Sequence, residues 1–276
     1  MQKINQMNYH EKNGVGWLTF PALEQYPGLL HAFSTREGGV STGEFRSMNL
    51  GFRRGDPDEN VLENYRRFCA AVGFPPQKLV ASSQDHHTFL RRVTSKEAGI
   101  GIEKPRDMES VDGLCTNDPG VTLVTYYADC VPLYFYDPEH RAAALAHAGW
   151  RGTAAKIGEK MARKMAVEFG SRPQGLIAAI GPSIGPCCYE VDEPVAAQFL
   201  SMKELEPDGF VTGKGGGKYM LDLWECNRRI LLAAGLLPEH ISVGGVCTKC
   251  HSDLLYSHRV MGAKRGSLAA MICLAE

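Results

Sequence analysis

Residues 121–153 read VTLVTYYADCVPLYFYDPEHRAAALAHAGWRGT, and this stretch decides the fold. It contains three short apolar runs, at 121–127, 131–136 and 142–148, that are joined by short polar links. Apolar runs of this length that end at turn-forming residues predict β-strands. Because no helix separates the three strands, they predict a meander and a mixed α+β fold rather than a regular βαβ repeat.

Three helices and four further strands are predicted outside this stretch. Capping-box patterns at 56–59 and 222–225 each begin a helix that ends at a glycine. Apolar residues at every fourth position over 157–169 predict the helix between them. No internal repeat or long linker divides the chain, so residues 1–276 are predicted to form one domain. The four strands are predicted at 29–34, 79–83, 175–180 and 241–246.

The composition is that of an ordinary globular protein. Of the 276 residues, 44% are hydrophobic and 22% are charged, which excludes disorder, collagen and coiled coil. Thirty Lys and Arg residues balance 31 Asp and Glu residues, so the net charge is −1. Such a chain has no overall electrostatic attraction for nucleic acid or an anionic membrane, and we expect neither as a partner.

Two features predict a cytoplasmic protein. No apolar run approaches the roughly 20 residues that a membrane-spanning helix needs, and residues 1–17 lack the apolar centre of a signal peptide. The nine cysteines are an odd number and are scattered through a large chain. We therefore expect reduced thiols, which are available as metal ligands.

Side chains of types that can ligate a metal occur at three predicted strand ends. His147 lies at the end of the third strand of the meander, Cys130 directly precedes the second, and His86 and His87 follow strand 79–83. Two imidazoles and a thiolate suit Zn²⁺ and leave a fourth position for water, which zinc makes nucleophilic near neutral pH. These residues are far apart in sequence, so no spacing rule supports the site. The alternative is a small buried cysteine and structural histidines.

The turn Gly149-Trp150-Arg151-Gly152-Thr153 is a candidate anion site. Its glycines let backbone N–H groups approach a ligand, the following helix offers its positive N-terminus, and Arg151 adds a bidentate donor for phosphate or carboxylate. The alternative is a tight strand-to-helix turn with a solvated arginine. The glycine-rich stretch 181–190 is a similar turn that either lines a pocket or is a stiff loop.

The segment Cys247-Thr248-Lys249-Cys250-His251 matches the attachment pattern for haem c. Because we expect a cytoplasmic chain without an export signal, we do not expect haem there. A redox or zinc role for this Cys-x-x-Cys pair is not expected either. The zinc deaminase signature His-x-Glu is absent, because Ala148 and Gly149 follow His147.

Several motifs together resemble one protein family. They are residues 31–41, Met48-Asn49-Leu50-Gly51, Gln84-Asp85-His86, Asp112-Gly113-Leu114, Ala128-Asp129-Cys130-Val131-Pro132, residues 147–153, Gly181-Pro182-Ser183-Ile184 and Tyr189-Glu190-Val191. In their order they resemble the YfiH or laccase-domain family, once called multicopper polyphenol oxidases and now described as purine nucleoside phosphorylases. The resemblance covers about residues 29–260, and residues 1–16 are expected to be an N-terminal extension.

The resemblance implies a fold, a metal and an activity. The fold would be a single domain of layered mixed β-sheets flanked by helices. Zinc, or copper as an alternative occupant, would be bound by His86, Cys130 and His147. The expected substrates are phosphate and the nucleosides adenosine, inosine, guanosine and methylthioadenosine, with adenosine deamination as a second activity. The protein is expected to be a monomer or a homodimer.

The sequence departs from the family pattern in two places. His87 stands where the family usually has glycine, so an exchange of ligands between His86 and His87 stays open. Residues 257–260 read Ser-His-Arg-Val, whereas a second arginine is expected after the first. This second departure weakens any assignment of substrate contacts there.

These residues suggest a mechanism. For phosphorolysis, phosphate held near zinc and Arg151 attacks the ribose C1′ while the purine leaves; for deamination, zinc-activated water attacks C6 of adenine. Asp129 is expected to orient a ligand, to carry a proton or to be purely structural. Asn49, Tyr189 and Glu190 are the predicted substrate-binding residues.

Three other functions are compatible with the sequence. A laccase needs several coppers and clustered ligands, whereas the nine histidines are spread thinly. A metal-free hydrolase would use Cys130 as a nucleophile activated by His147, and relatives have been linked to the editing of peptidoglycan precursors. The third is a metal-holding or partner-binding module without activity.

Overall fold

Two large β-sheets and one small sheet form the framework of the computed structural model, which describes residues 2–276. The strands are β1 (Gln2–Ile4), β2 (Met7–Lys12), β3 (Val15–Thr19), β4 (Leu29–Ser34), β5 (Leu79–Ala81), β6 (Phe89–Arg92), β7 (Val111–Thr116), β8 (Thr122–Tyr127), β9 (Val131–Asp137), β10 (Ala142–Ala148), β11 (Ile177–Ile180), β12 (Glu190–Asp192), β13 (Val211–Gly215), β14 (Lys218–Leu221), β15 (Ile241–Val243) and β16 (Leu268–Leu274). The seven-stranded sheet has the order β1-β2-β3-β4-β16-β8-β5, and the six-stranded sheet has the order β15-β11-β9-β10-β7-β6. The small sheet has the order β12-β14-β13.

Helices pack on the outer faces of the two large sheets, on the small sheet and at the edge of the layer between the large sheets. They are α1 (Pro21–Glu24), α2 (Asp58–Val72), α3 (Trp150–Ala154), α4 (Ile157–Phe169), α5 (Glu193–Leu200), α6 (Leu223–Ala233) and α7 (His258–Met261). Among residues 2–276, no helix combines the length and the apolar character needed to cross a bilayer.

Three hydrophobic clusters hold these layers together. The first lies between the two large sheets and joins residues such as Phe33 and Leu145. The second packs α2 on the seven-stranded sheet, for example Phe68 with Met271. The third packs α4 and α6 on the six-stranded sheet. This arrangement is the predicted α+β fold of layered mixed sheets flanked by helices.

The prediction of a three-strand meander is wrong for its first strand. β9 and β10 pair antiparallel, with Ala142 opposite Asp137 and Ala148 opposite Val131. β8, in contrast, pairs with β16 and β5 in the other large sheet. The chain changes sheets at Asp129, whose φ of 90° lies in the left-handed region. The same polar break would have suited a hairpin, so the sequence pattern does not distinguish the two.

The helix starts follow the predictions in part. At the start of α6 the Asp222 carboxylate accepts a hydrogen bond from the Glu225 N–H (3.0 Å), as a capping residue should. At α2, Pro57 is the N-cap and makes no side-chain cap. The carboxylate of Asp56 instead accepts from the Ser41 hydroxyl (2.6 Å) and from Asn49 (2.8 Å).

The stretch predicted as an N-terminal extension takes part in the seven-stranded sheet. Its residues form β1, β2 and the beginning of β3, and β3 pairs with β4 at the positions of Trp17 and Ser34. The sequence prediction did not include β1 to β3, β6, β7, β12 to β14 or β16. The buried strand β7 matters most among these, because it carries Asp112.

The alternation predicted along β10 is present. Ala142, Ala144, Ala146 and Ala148 belong to the cluster that contains Met161 and Met165 of α4. Ala143 and Leu145 belong to the cluster between the sheets. Small side chains on one face therefore let α4 approach the strand closely, which positions the end of β10 and with it His147.

We predict that Ala144→Leu lowers the free energy of unfolding by about 1–3 kcal/mol, because the added carbons overpack the contact with α4. Urea unfolding followed by circular dichroism measures this. Val167→Leu, on the exposed side of the same helix (84% exposed), is the control and should change stability by less than about 0.5 kcal/mol. A fully stable Ala144→Leu protein would show that this face is not closely packed.

Candidate metal centre

The three predicted ligands lie together in the structure. His86 and Cys130 stand in connections that lead from the seven-stranded to the six-stranded sheet, and His147 is near the end of β10. Their ligand atoms all lie within 4.8 Å of one another, and Nε2 of His86 is 3.9 Å from Sγ of Cys130. Imidazole and thiolate are the donors that zinc and copper accept in proteins. The arrangement is therefore a candidate metal site of two histidines and one cysteine.

Two residues at this site have a backbone conformation that residues other than glycine rarely adopt. His86 has a φ of 71° and Asp129, next to Cys130, a φ of 90°. Such conformations cost energy and persist where the surrounding contacts enforce them. Here they turn both connections so that the His86 and Cys130 side chains meet.

Asp112 is the residue that enforces the arrangement. It lies in β7 with no exposed surface. One carboxylate oxygen accepts hydrogen bonds from Nδ1 of His147 (2.8 Å) and from the N–H of His86 (3.0 Å). The other oxygen accepts from the N–H groups of Asp85 (3.3 Å) and His87 (3.0 Å).

The bond from His147 to Asp112 also selects the ligand atom. An ionised carboxylate only accepts, so in the neutral ring of His147 the proton is on Nδ1 and Nε2 has the lone pair that can bind a metal. Asp112 belongs to the motif Asp112-Gly113-Leu114, for which the sequence alone predicts no role. The available signal was a charged residue inside the otherwise uncharged run Val111–Thr116.

Cys130 and His147 change each other's proton affinity. Burial by itself would raise the pKa of the Cys130 thiol, but the adjacent His147 and hydrogen bonds with both histidines lower it below its ordinary value. Burial by itself would lower the pKa of His147, but Cys130 and Asp112 raise it. Cys130 is thus favoured as a thiolate, the form that binds metals and acts as a nucleophile.

Gly149 leaves the space that the ligands occupy. A Cβ atom at this position would stand 3.1 Å from Sγ of Cys130 and 3.2 Å from Cδ2 of His86. Both distances are shorter than ordinary carbon and sulfur contacts, so a side chain would push the ligands apart. The glycine is required here for close approach and not for an unusual φ, which is −63°.

The candidate ligands line a cavity of about 640 Å³. Aromatic side chains form part of its wall, among them Phe52, Trp150 and Tyr189. The wall is also rich in cationic groups, which are Arg53, Arg54, Arg106, Arg259 and Arg265. A cavity of this size holds a small organic molecule, and the arginines favour a negatively charged one.

Of the four other predicted site residues, Tyr189 lines this cavity and Arg151, Glu190 and Asn49 do not. Tyr189 lines it, and the guanidinium of Arg259 lies over its ring at 5.3 Å from the centroid. Arg151 lies 4.2 Å over the Trp150 ring and lines a different, shallower pocket. Glu190 forms a salt bridge with Lys214 (2.5 Å) and does not line the cavity.

Asn49 is fully buried beside the cavity wall instead of in it. Its side-chain oxygen accepts from the N–H groups of Gly51 (2.9 Å) and Ser267 (2.9 Å), two residues that do line the cavity. The structure therefore makes Asn49 a positioning residue that joins two segments of the wall.

His87 and Asp129 have contacts that distinguish between the alternatives left open by the sequence. His87 directs Nδ1 to Asp85 (2.8 Å) and is not a member of the ligand cluster that His86 belongs to. The Asp129 carboxylate accepts from the Thr248 hydroxyl (2.6 Å) and from the N–H of Arg259 (2.7 Å). Asp129 thus anchors the C-terminal segment to the Cys130 connection.

One family model, several relatives and several solved structures are similar to this chain over most of its length. Residues 30–275 match the family model described as multi-copper polyphenol oxidoreductase laccase. The purine nucleoside phosphorylase YlmD of Geobacillus stearothermophilus is 38% identical over 260 residues, which cover 93% of this chain and 94% of that protein. YlmD of Bacillus subtilis, with the same description, is 36% identical and covers 90% and 89%. The crystal structure of the hypothetical protein YfiH of Bacillus licheniformis has a TM-score of 0.89 at 32% identity, covering 96% of this chain and 98% of that one.

We predict that Asp112→Asn lowers the zinc affinity of the candidate site by about 10–100-fold. Both carboxylate oxygens of Asp112 accept hydrogen bonds, and asparagine replaces one of them with an NH₂ group. Because this group cannot accept from the N–H donors that face it, either His147 or the 85–87 loop loses its hydrogen bond. Competition with a chromophoric chelator measures the affinity. Asp85→Asn, which changes an exposed carboxylate in the same loop, is the control and should retain the affinity. Equal affinities for Asp112→Asn and wild type would contradict the positioning role.

We further predict that Gly149→Ala weakens zinc binding by about tenfold, since the new methyl group displaces Cys130 or His86 from the shared position. The same chelator competition applies. Gly175→Ala is a matched control, because a Cβ there meets no atom within 4 Å. If both variants bind zinc as wild type does, the ligands do not need the space beside Gly149.

Proposed function

The chain belongs to the multi-copper polyphenol oxidoreductase laccase family, and we propose that it is a zinc-dependent purine nucleoside phosphorylase that also deaminates adenosine. The proposed substrates are inorganic phosphate with adenosine, inosine, guanosine or methylthioadenosine. His86, Cys130 and His147 would hold the zinc. We place the protein in the cytoplasm, where its free cysteines stay reduced. The names of the relatives support phosphorolysis, and the cavity supports its two substrates.

The observation that carries the proposal is Arg265, a buried arginine on the wall of the cavity that also contains the candidate metal ligands. Only 8% of Arg265 is exposed, and its Nε has no hydrogen-bond partner among residues 2–276. One of its terminal nitrogens donates to the Gly266 carbonyl (2.9 Å). A buried cation with an unused donor is costly unless an anion accepts from it.

A second arginine strengthens the case for phosphate. Burial, followed by the like charge of nearby Arg54, lowers the pKa of Arg265 to about 10. Two neighbouring guanidinium groups repel each other, and an anion bound by both removes that repulsion. Phosphate matches the fork geometry of arginine and offers several acceptor oxygens. We therefore propose Arg54 and Arg265 as the phosphate-binding pair.

The aromatic wall suits the purine. Trp150 and Tyr189 line the same cavity as the arginines, and both are partly buried. Burial is the main cause that raises the pKa of Tyr189 to about 12, so its ring stays neutral at physiological pH. Flat neutral rings stack on purine bases and favour no single base, which fits several nucleosides.

The proposed reaction transfers the ribosyl group to phosphate. A phosphate oxygen forms a bond to C1′ while the bond from C1′ to the purine nitrogen breaks, and the proton of hydrogen phosphate passes to that nitrogen. The products are the free base and ribose 1-phosphate, or 5-methylthioribose 1-phosphate when the substrate is methylthioadenosine. Arg54 and Arg265 hold the attacking phosphate, and Trp150 and Tyr189 orient the base. Zinc, when bound, supplies Lewis acidity beside the reacting groups. Asp112 keeps His147 in the tautomer that can hold it.

A second candidate function follows from the same residues without a metal. Cys130, His147 and Asp112 form a nucleophile, base and orienting carboxylate in which His147 interacts with both of the others, which is the arrangement of cysteine hydrolases. Burial would raise the pKa of Cys130, but the charges and hydrogen bonds of His147 and His86 together lower it, and the lowered pKa favours this chemistry too. A metal-free protein that turns over an amide or ester substrate would identify this function.

The test compares two arginines in zinc-loaded protein by chromatography of inosine and adenosine with and without phosphate. We predict that Arg265→Gln raises the KM for phosphate by at least about tenfold and leaves adenosine deamination, which uses no phosphate, within about twofold. Arg265→Lys keeps the positive charge, so its KM for phosphate should lie between the values of the wild type and of Arg265→Gln. Cys130→Ala and His147→Ala should abolish both reactions.

Arg151→Gln is the matched comparison, because the sequence alone predicts Arg151 as the phosphate ligand. An increase in the KM for phosphate in Arg151→Gln but not in Arg265→Gln would return that role to Arg151. Activity that survives both Cys130→Ala and His147→Ala, or no release of free base by the zinc-loaded wild type, would refute the proposed function.

A further inference from the structure

Four cysteine side chains form a second cluster outside the cavity. Cys187 and Cys188 lie in the loop between β11 and β12, and Cys247 and Cys250 lie in the segment after β15. Their four sulfur atoms are all within 4.8 Å of one another. Sγ of Cys250 is 3.6 Å from that of Cys187 and 3.5 Å from that of Cys188. None of the four lines the cavity described above.

The sulfur positions fit a single tetrahedral ion. In a Zn²⁺ site with four thiolates at about 2.3 Å, the sulfur atoms are about 3.8 Å apart. Four atoms that are all within 4.8 Å of one another lie within about 2.9 Å of a common centre, so small side-chain rotations bring them to bonding distance. The distances exceed the roughly 2.05 Å of a disulfide, and all four thiols are free.

The two loops are held side by side by their backbones. Ser183 and Cys247 form a parallel bridge, in which the Ser183 N–H donates to Val246 (3.2 Å) and the Thr248 N–H donates to Ser183 (3.0 Å). The pairing brings two distant cysteine pairs together before any ion is bound.

Gly185 adds two features of a thiolate site. Its N–H group donates to Sγ of Cys247 (3.3 Å), the kind of contact that supports ligand sulfur atoms. A Cβ at Gly185 would stand 2.7 Å from the Trp224 ring and 3.2 Å from Cβ of Cys247. Glycine is needed here because the two loops and α6 approach so closely.

We propose that Cys187, Cys188, Cys247 and Cys250 bind one zinc ion in a structural site separate from the candidate metal centre. The Cys247 and Cys250 pair has the Cys-x-x-Cys spacing of zinc sites, and four soft thiolates leave no open position for substrate. Cys187 and Cys250 are exposed, so an ion can reach the cluster from solvent.

The site would stabilise one side of the cavity. Ile184 and Tyr189, which line the cavity, flank Cys187 and Cys188 in sequence. Thr248, between the other two cysteines, donates to Asp129 beside Cys130. A zinc ion would therefore cross-link the loop that carries Tyr189 to the segment anchored at Asp129.

The experiment counts zinc per chain by elemental analysis of protein purified without chelators. We predict about two zinc ions in the wild type, about one in Cys187→Ser/Cys250→Ser and about one in Cys130→Ala. Cys69→Ala, which alters a buried cysteine outside both clusters, is the control and should retain two. Zinc contents that are equal in the wild type and the double variant would overturn the proposal.

Cobalt provides a test that does not depend on folding of the double variant or on activity. Cys130→Ala protein is stripped of metal and titrated with Co²⁺. Because the remaining thiolate ligands all belong to the second cluster, we expect one equivalent to produce intense sulfur-to-cobalt charge-transfer absorption and tetrahedral d–d bands, which zinc then abolishes. A spectrum without thiolate bands would overturn the proposal, whatever the outcome for phosphorolysis.

Discussion

The carboxylate of Asp112 is the constraint on which the rest of the candidate metal centre depends. It has no contact with solvent, and a buried charge is tolerated only when its acceptor sites are filled. Four donors from the 85–87 loop and from β10 fill them. Satisfying this one group therefore determines where His86 and His147 stand and which nitrogen of His147 remains free.

The two large sheets explain why the ligands meet at this place. Two of the three stand where the chain passes from one sheet to the other, at His86 and at Cys130. The third stands near the end of β10, whose alanine face admits α4. Asp129 then joins the second crossing to the C-terminal segment through Thr248 and Arg259. The cavity is thus bounded largely by connections between strands, which carry most of its arginine residues.

Local patterns in the sequence predicted much of the fold and of the candidate metal centre, but they missed the features that depend on contacts between distant segments. Strand 142–148 and the His, Cys, His set were predictable because strand ends and donor chemistry are visible in short segments. The change of sheet at Asp129 was not, since a polar break precedes a hairpin and a crossing alike. No metal role is predicted for Cys247 and Cys250, and the pattern around them cannot reveal Cys187 and Cys188, which lie about 60 residues earlier in the chain. Arg265 has no motif, and only its burial and unpaired Nε distinguish it.

The position of β16 has a consequence for how the protein is made. β16 pairs with β4 on one side and with β8 on the other, so the last described strand fills the middle of the seven-stranded sheet. During translation, β4 and β8 leave the ribosome with their inner edges unpaired, and they stay so until residue 274 has emerged. Such long-range pairing is slow and leaves apolar edges open to other chains. The seven-stranded sheet therefore becomes continuous only after β16 has been synthesised.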